Sequence, residues 1–185
     1  SLANKVDGWL QSDPEDWRRD DALRKIKHKE KEAARIAEWI ALFRKHQPAI
    51  EAGTAPAGLM HDLSMIYFGR FREAKGDTPI DRFQSFFGMD AGITLAALAG
   101  LRRTLLRDDL PSIAAFVYLH VKGRHHLIAE ACLAGADELA RSSAEGVLEL
   151  SRQIQERLIA FRLTHDFDNT PAWFLSLVAH RPEAL

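Results

Sequence analysis

His61 and Asp62 form the sharpest chemical pair in the chain, because adjacent side chains on one helical turn offer a nitrogen and a carboxylate to a divalent metal. A metal held there would activate water for attack on a phosphate ester, with its remaining ligands drawn from other helices. His28, together with His125 or His126, supplies the histidines that could complete such a set. His126 and Glu130 make a second pair, four residues apart and so on one helix face. Two ligands do not make a site. The plainer expectation places His120 beside an interhelical turn and starts the next helix with His125 and His126. Cys132 has no base beside it and stands in an apolar helical context, which reads as a packing thiol. Asp166-Phe167-Asp168-Asn169 lacks the 12-residue calcium loop with its glycine and final glutamate, so it reads as a turn with an N-cap.

Phosphate and nucleic-acid chemistry have weaker footing. Gly53-Thr54-Ala55-Pro56-Ala57-Gly58 has P-loop glycine spacing, but Leu59-Met60 stand where lysine and a hydroxyl residue are needed. No dinucleotide fingerprint, nucleophile elbow or zinc-protease helix motif occurs, and no cofactor is expected. Residues 18–35 carry eight Lys/Arg, and Lys25, Lys27 and Lys29 are the residues through which this stretch would follow a phosphate backbone. Four interspersed acids and the absence of interleaved aromatics favour a solvated helix face instead. Across the chain, 25 basic and 26 acidic residues leave a net charge of −1, so nucleic acid is not an expected partner of the whole surface.

Most of these residues fall on a helix or at a helix end. Asp13-Pro14 starts a long helix whose stripe is Ile26, Ala33, Ala37, Ile40 and Phe43, and Pro48 closes it. Gly58 to Phe68 is a short apolar helix, and Thr78-Pro79-Ile80-Asp81 caps another that carries Phe83, Phe86 and Phe87. Helices are expected from Asp90 to Arg107, from Ser112 to Lys122 and from about His125 to Ala140. Ser142-Ser143-Ala144-Glu145 has the pattern of a capping box, so a further helix is expected from there to about Leu163. Thr170-Pro171 opens the last.

No segment alternates with period two, which makes the chain all-α. Ala97-Leu98-Ala99-Gly100-Leu101 recurs as Cys132-Leu133-Ala134-Gly135-Ala136, an offset of 35 residues that matches stacked two-helix repeats. The expected architecture is therefore a set of antiparallel helix pairs stacked as a short right-handed superhelix, with Gly100 and Gly135 as points of close helix packing. An irregular helical bundle is the alternative. Residues 1–185 read as one helical domain, and the Ser1-Leu2 start together with a helix-like ending at His180–Leu185 suggests a piece of a longer protein.

Gly76 to Leu139 contains Gly-Asp-Thr-Pro, Leu-Ala-Gly-Leu-Arg-Arg, Arg-Asp-Asp-Leu-Pro, Gly-Arg and Leu-Ala-Gly. In these motifs it resembles the helical-repeat part of large bacterial NACHT-type (STAND) ATP-binding proteins, and in general form it is similar to HEAT-like α-solenoids. The resemblance implies a non-enzymatic scaffold or sensor segment that binds a partner protein or a neighbouring domain of its own chain, with no catalytic residue carried over. His61-Asp62 also resembles the metal-binding dipeptide of helical HD-type phosphohydrolases, although Leu63-Ser64-Met65 departs from the glycine and lysine common after it. That enzyme reading, with His61, Asp62, His125 and His126 as ligands, is the second expectation. Nucleic-acid binding through residues 18–35 is the third. The apolar runs fall short of the roughly 20 residues that cross a bilayer. A single cysteine fits a reducing compartment, so the expected location is the cytoplasm.

Overall fold

A computed structural model describes residues 14–165 and 169–184. The N-cap expected at Asp13 and the turn expected at 166–168 lie outside them. The protein is all-α, with nine α-helices and no strand among the described residues. The helices are α1 (Pro14–Lys45), α2 (Gln47–Glu51), α3 (Ala57–Tyr67), α4 (Pro79–Phe87), α5 (Ala91–Thr104), α6 (Ile113–Val121), α7 (Leu127–Ser142), α8 (Arg152–Thr164) and α9 (Ala172–His180), followed by a 3-10 turn at Pro182–Ala184. No described helix is long and apolar enough to cross a membrane.

The chain divides into two compact units, Ser1–Leu42 and Phe43–Leu185. In the first, α1 is held helical by good helix formers and by i, i+4 pairing of Lys25 with Asp21 at 2.6 Å. Its predicted stripe is solvent-exposed at Ile26, Ala33 and Ala37, and Trp17 and Leu23 are exposed as well.

In the second unit, Thr78 caps α4 through a complete capping box with Asp81, and Gly88 ends the helix in a left-handed conformation. The expected cap at Thr78 therefore forms, and it aims three phenylalanines inward. Phe83 and Phe87 stack at 5.9 Å between ring centroids, and Phe43 meets Phe86 and Phe87 edge-on at 6.4 and 5.5 Å. Asp90 caps α5 by accepting from the Gly92 and Ile93 N–H groups, and its carboxylate also receives Arg44. Ser112 caps α6 by accepting from Ala115.

Helix α7 is the hub of this unit. It packs against α3, α5, α8 and α9, and every residue from Ile128 to Ala136 except Glu130 is buried. Small residues make this possible. A Cβ on Gly135 would run into the Leu101 carbonyl oxygen, and one on Gly100 would run into the Ile50 carbonyl oxygen. Gly100 thus admits the backbone of α2 against α5, and Gly135 admits the backbone of α5 against α7.

Two expectations need correcting. Helix α6 packs chiefly on α8 instead of forming an antiparallel pair with α7, and α7 reaches back to α3. The all-α class stands, while the pair expected of these two helices does not form. Ser142–Glu145 does not start a helix: α7 continues to Ser142, residues 144–149 form turns, and α8 begins at Arg152. The Gln155 side chain holds that turn segment by donating to the Leu148 and Leu150 carbonyls at 2.7 and 3.0 Å. Pro48 closes α1 as expected, since that helix stops at Lys45, and it sits in the first turn of α2, where its missing N–H costs nothing.

Candidate functional site

Two regions of the second unit stand out, one polar and one apolar. The polar region is a cleft of about 370 Å³ lined by residues that include Tyr67, Arg70, Arg82, Asp137, Arg141 and Trp173. The end of α3 brings Tyr67 into it, and α7 brings Asp137 one turn before Arg141. Tyr67 donates its hydroxyl to Asp137 Oδ2 at 2.7 Å, and Arg141 Nε donates to the same oxygen at 3.1 Å. Burial, and then the Asp137 charge, push the Tyr67 hydroxyl far above its ordinary range. It stays a hydrogen-bond donor. Arg82 spends its guanidinium on main-chain carbonyls of Tyr67, Gly76 and Asp77, at 2.7, 3.0 and 3.1 Å, and so ties the end of α3 to the turn before α4.

Beside the cleft, Arg70 reaches Glu130 Oε1 at 3.1 Å and His61 Nε2 stands 3.5 Å from Glu130 Oε2. Asp62 lies 3.7 Å from the other ring nitrogen of His61, and burial raises its pKa against the opposing pull of that histidine. The predicted ligands separate into different settings. His126 is the N-cap of α7, its Nδ1 accepting from Ile128, and is not the partner of Glu130. His125 lies 5.4 Å, ring to ring, from His165. Among the described residues no three His, Cys, Asp or Glu side chains are grouped to hold a metal ion.

Two nucleophilic side chains near these helices are held in inert states. Ser64 donates to the His61 carbonyl at 2.6 Å, and burial pushes the Cys132 thiol up to about 12. The polar network serves to fix α3, α4 and α7 together. In the Gly53–Gly58 loop, Arg107 donates to the carbonyls of Gly53 and Ala55 at 3.0 and 2.7 Å while it pairs with Asp109. The predicted nucleic-acid contacts lie in the first unit. Lys25, Lys27 and Lys29 are all exposed, but Lys27 stands about 160° around the helix from Lys25, so the three do not share a face.

The apolar region is α6. Its sequence, Ile-Ala-Ala-Phe-Val-Tyr-Leu-His-Val, is apolar nearly all round, and a helix of that kind is normally enclosed. Here only Phe116 is buried, against Phe161 at 4.5 Å and stacked on His165 at 5.7 Å. The outward face carries Ile113, Ala114, Val117, Tyr118 and Val121, with Val121 75% and Tyr118 63% exposed. These five are spaced i, i+1, i+4, i+5 and i+8, which is the spacing of one continuous stripe on a helix. Periodicity alone does not reveal this face, since a segment apolar on every side does not show which side is covered.

Comparison with known protein families, with curated proteins and with solved structures finds no match to this chain.

Proposed function

We propose that the protein is a non-enzymatic helical interaction module, and that the outward face of α6 is where a partner protein docks. One observation carries the reading: a helix of nine apolar-rich residues buries a single side chain and leaves Ile113, Val117, Tyr118 and Val121 in water. Each such side chain forgoes about 1.5–3 kcal/mol of transfer free energy when fully exposed, and contiguous patches of this kind mark protein contacts on soluble domains. The helix is far too short to enter a bilayer as a span. The base of that face is α8, on which Phe116 packs against Phe161 at 4.5 Å.

A photoreactive phenylalanine analogue placed at Val121, in cells that make the protein, tests this. A discrete adduct with a protein is expected at Val121, absent from the same probe at Lys75, and lost when Val117→Glu is added. Equal labelling at both positions, or none at either, overturns the reading.

A further inference from the structure

We infer that the partner on the α6 face is a second copy of this chain, joined by antiparallel pairing of α6 with α6 about a twofold axis near Val117. The inference rests on the docking role proposed above and commits it to one occupant. Its first support is shape. Val117 is the midpoint of Ile113–Val121, and Ile113, Val117 and Val121 form one i, i+4 ridge with Ala114 and Tyr118 beside it. Two such ridges interdigitate when helices cross at about −50°, the commonest packing class in globular proteins. A twofold axis lays this ridge on its own copy and covers both stripes in one closed contact, with no surface left over to propagate.

The second support is charge. The chain entering α6 carries Asp108 and Asp109, both exposed, and the chain leaving it carries Lys122 and Arg124, both exposed. His120 is the only other titratable side chain on the helix besides Tyr118. Antiparallel pairing sets each acidic end against the basic end of the other copy, and it opposes the two helix dipoles. Parallel pairing would set acid on acid and base on base. Asp109 is already paired with Arg107 at 2.6 Å, which leaves Asp108 to carry the acidic end, and the Lys122 ammonium lies 5.8 Å from the Tyr118 ring centroid, beside the stripe. One nine-residue helix per copy makes a contact at the small end of specific interfaces, below about 1,200 Å² in total, and such contacts dissociate in the micromolar range.

Sedimentation equilibrium of the full chain from about 1 to about 300 µM, at low and at moderate salt, is the test. A monomer–dimer equilibrium is expected, weakened at least about tenfold by Val117→Glu. Lys122→Glu and Asp108→Lys should each weaken it about threefold at low salt, and the double variant should recover most of the loss. Circular dichroism confirms that each variant folds, and Tyr118→Lys serves as a second disruption of the stripe. A chain that stays monomeric to the highest concentration, or a dimer indifferent to Val117→Glu and Tyr118→Lys, overturns the homodimer. Additive losses in the double charge variant overturn the antiparallel arrangement. If the chain is monomeric while the Val121 probe still captures a different protein, the homodimer fails and the docking role stands. If both fail, both are wrong.

Discussion

Helices α6 and α7 follow one another in the chain, both are rich in apolar residues, and their surroundings are opposite. In α7, eight residues are buried and four neighbouring helices press on it. In α6, one residue is buried and one helix is the main support. The difference lies in side-chain size. Ala129, Ala131, Ala134, Gly135 and Ala136 give α7 a narrow surface on which backbones can lie closely, so it is covered from several directions. The branched and aromatic residues of α6 offer more apolar area per residue, and that area is turned outward. Hydrophobicity alone therefore does not assign a helix to the core.

The comparison can be broken most severely at Gly135. Gly135→Val adds branches where even a Cβ meets the Leu101 carbonyl, and a loss of more than about 4 kcal/mol is expected in urea unfolding followed by circular dichroism. Phe116→Ala removes the one anchor of α6 and should cost about 3 kcal/mol in the same measurement. A protein indifferent to Phe116→Ala would show that α6 is not held by its packing on Phe161.

A smaller, pH-dependent effect is expected through His165, whose ring stacks on Phe116. Burial lowers the His165 pKa, opposed by the Phe161 carbonyl and by Glu130, while His125 and Arg70 add to the lowering. The unfolded histidine then binds its proton at higher pH than the folded one. Stability is full above the ordinary histidine value of about 6.5 and falls as the pH drops from there toward the lowered folded value. His165→Phe should flatten that part of the stability profile. Smallest of all is Val117→Ser, on the exposed stripe: a change within about 0.5 kcal/mol is expected for the isolated chain. A large loss there would mean that the stripe already supports the fold.

Much of the helical framework was legible because it depends on local chemistry. The Thr78 capping box and the Phe83, Phe86 and Phe87 face of α4 are written within ten residues. Gly100 and Gly135 stand out in the sequence because a glycine in the middle of a helix is costly unless a neighbour needs the space. The failures concern competition between alternatives. Ser142–Glu145 has capping-box chemistry, yet α7 runs on through Ser142 and turns follow to residue 149, where Gln155 holds the Leu148 and Leu150 carbonyls from a distance. The Arg70–Glu130–His61 cluster joins residues 60 and 69 apart, and no spacing rule announces it. The identity of the exposed helix was illegible for the reason given by α6 itself: its covering is decided by what the other helices leave open.

Cys132 lies 1% exposed on α7, with its thiol proton held by burial, and it is the chain's single cysteine. A thiol reagent can reach it only when the hub helix is uncovered. The rate of labelling in the folded protein is thus a clock for opening of the bundle around α7, and because the residue is unique, that clock reads one event. Comparing its rate below and above the concentration at which α6 pairs would show whether pairing at the surface slows the breathing of the hub.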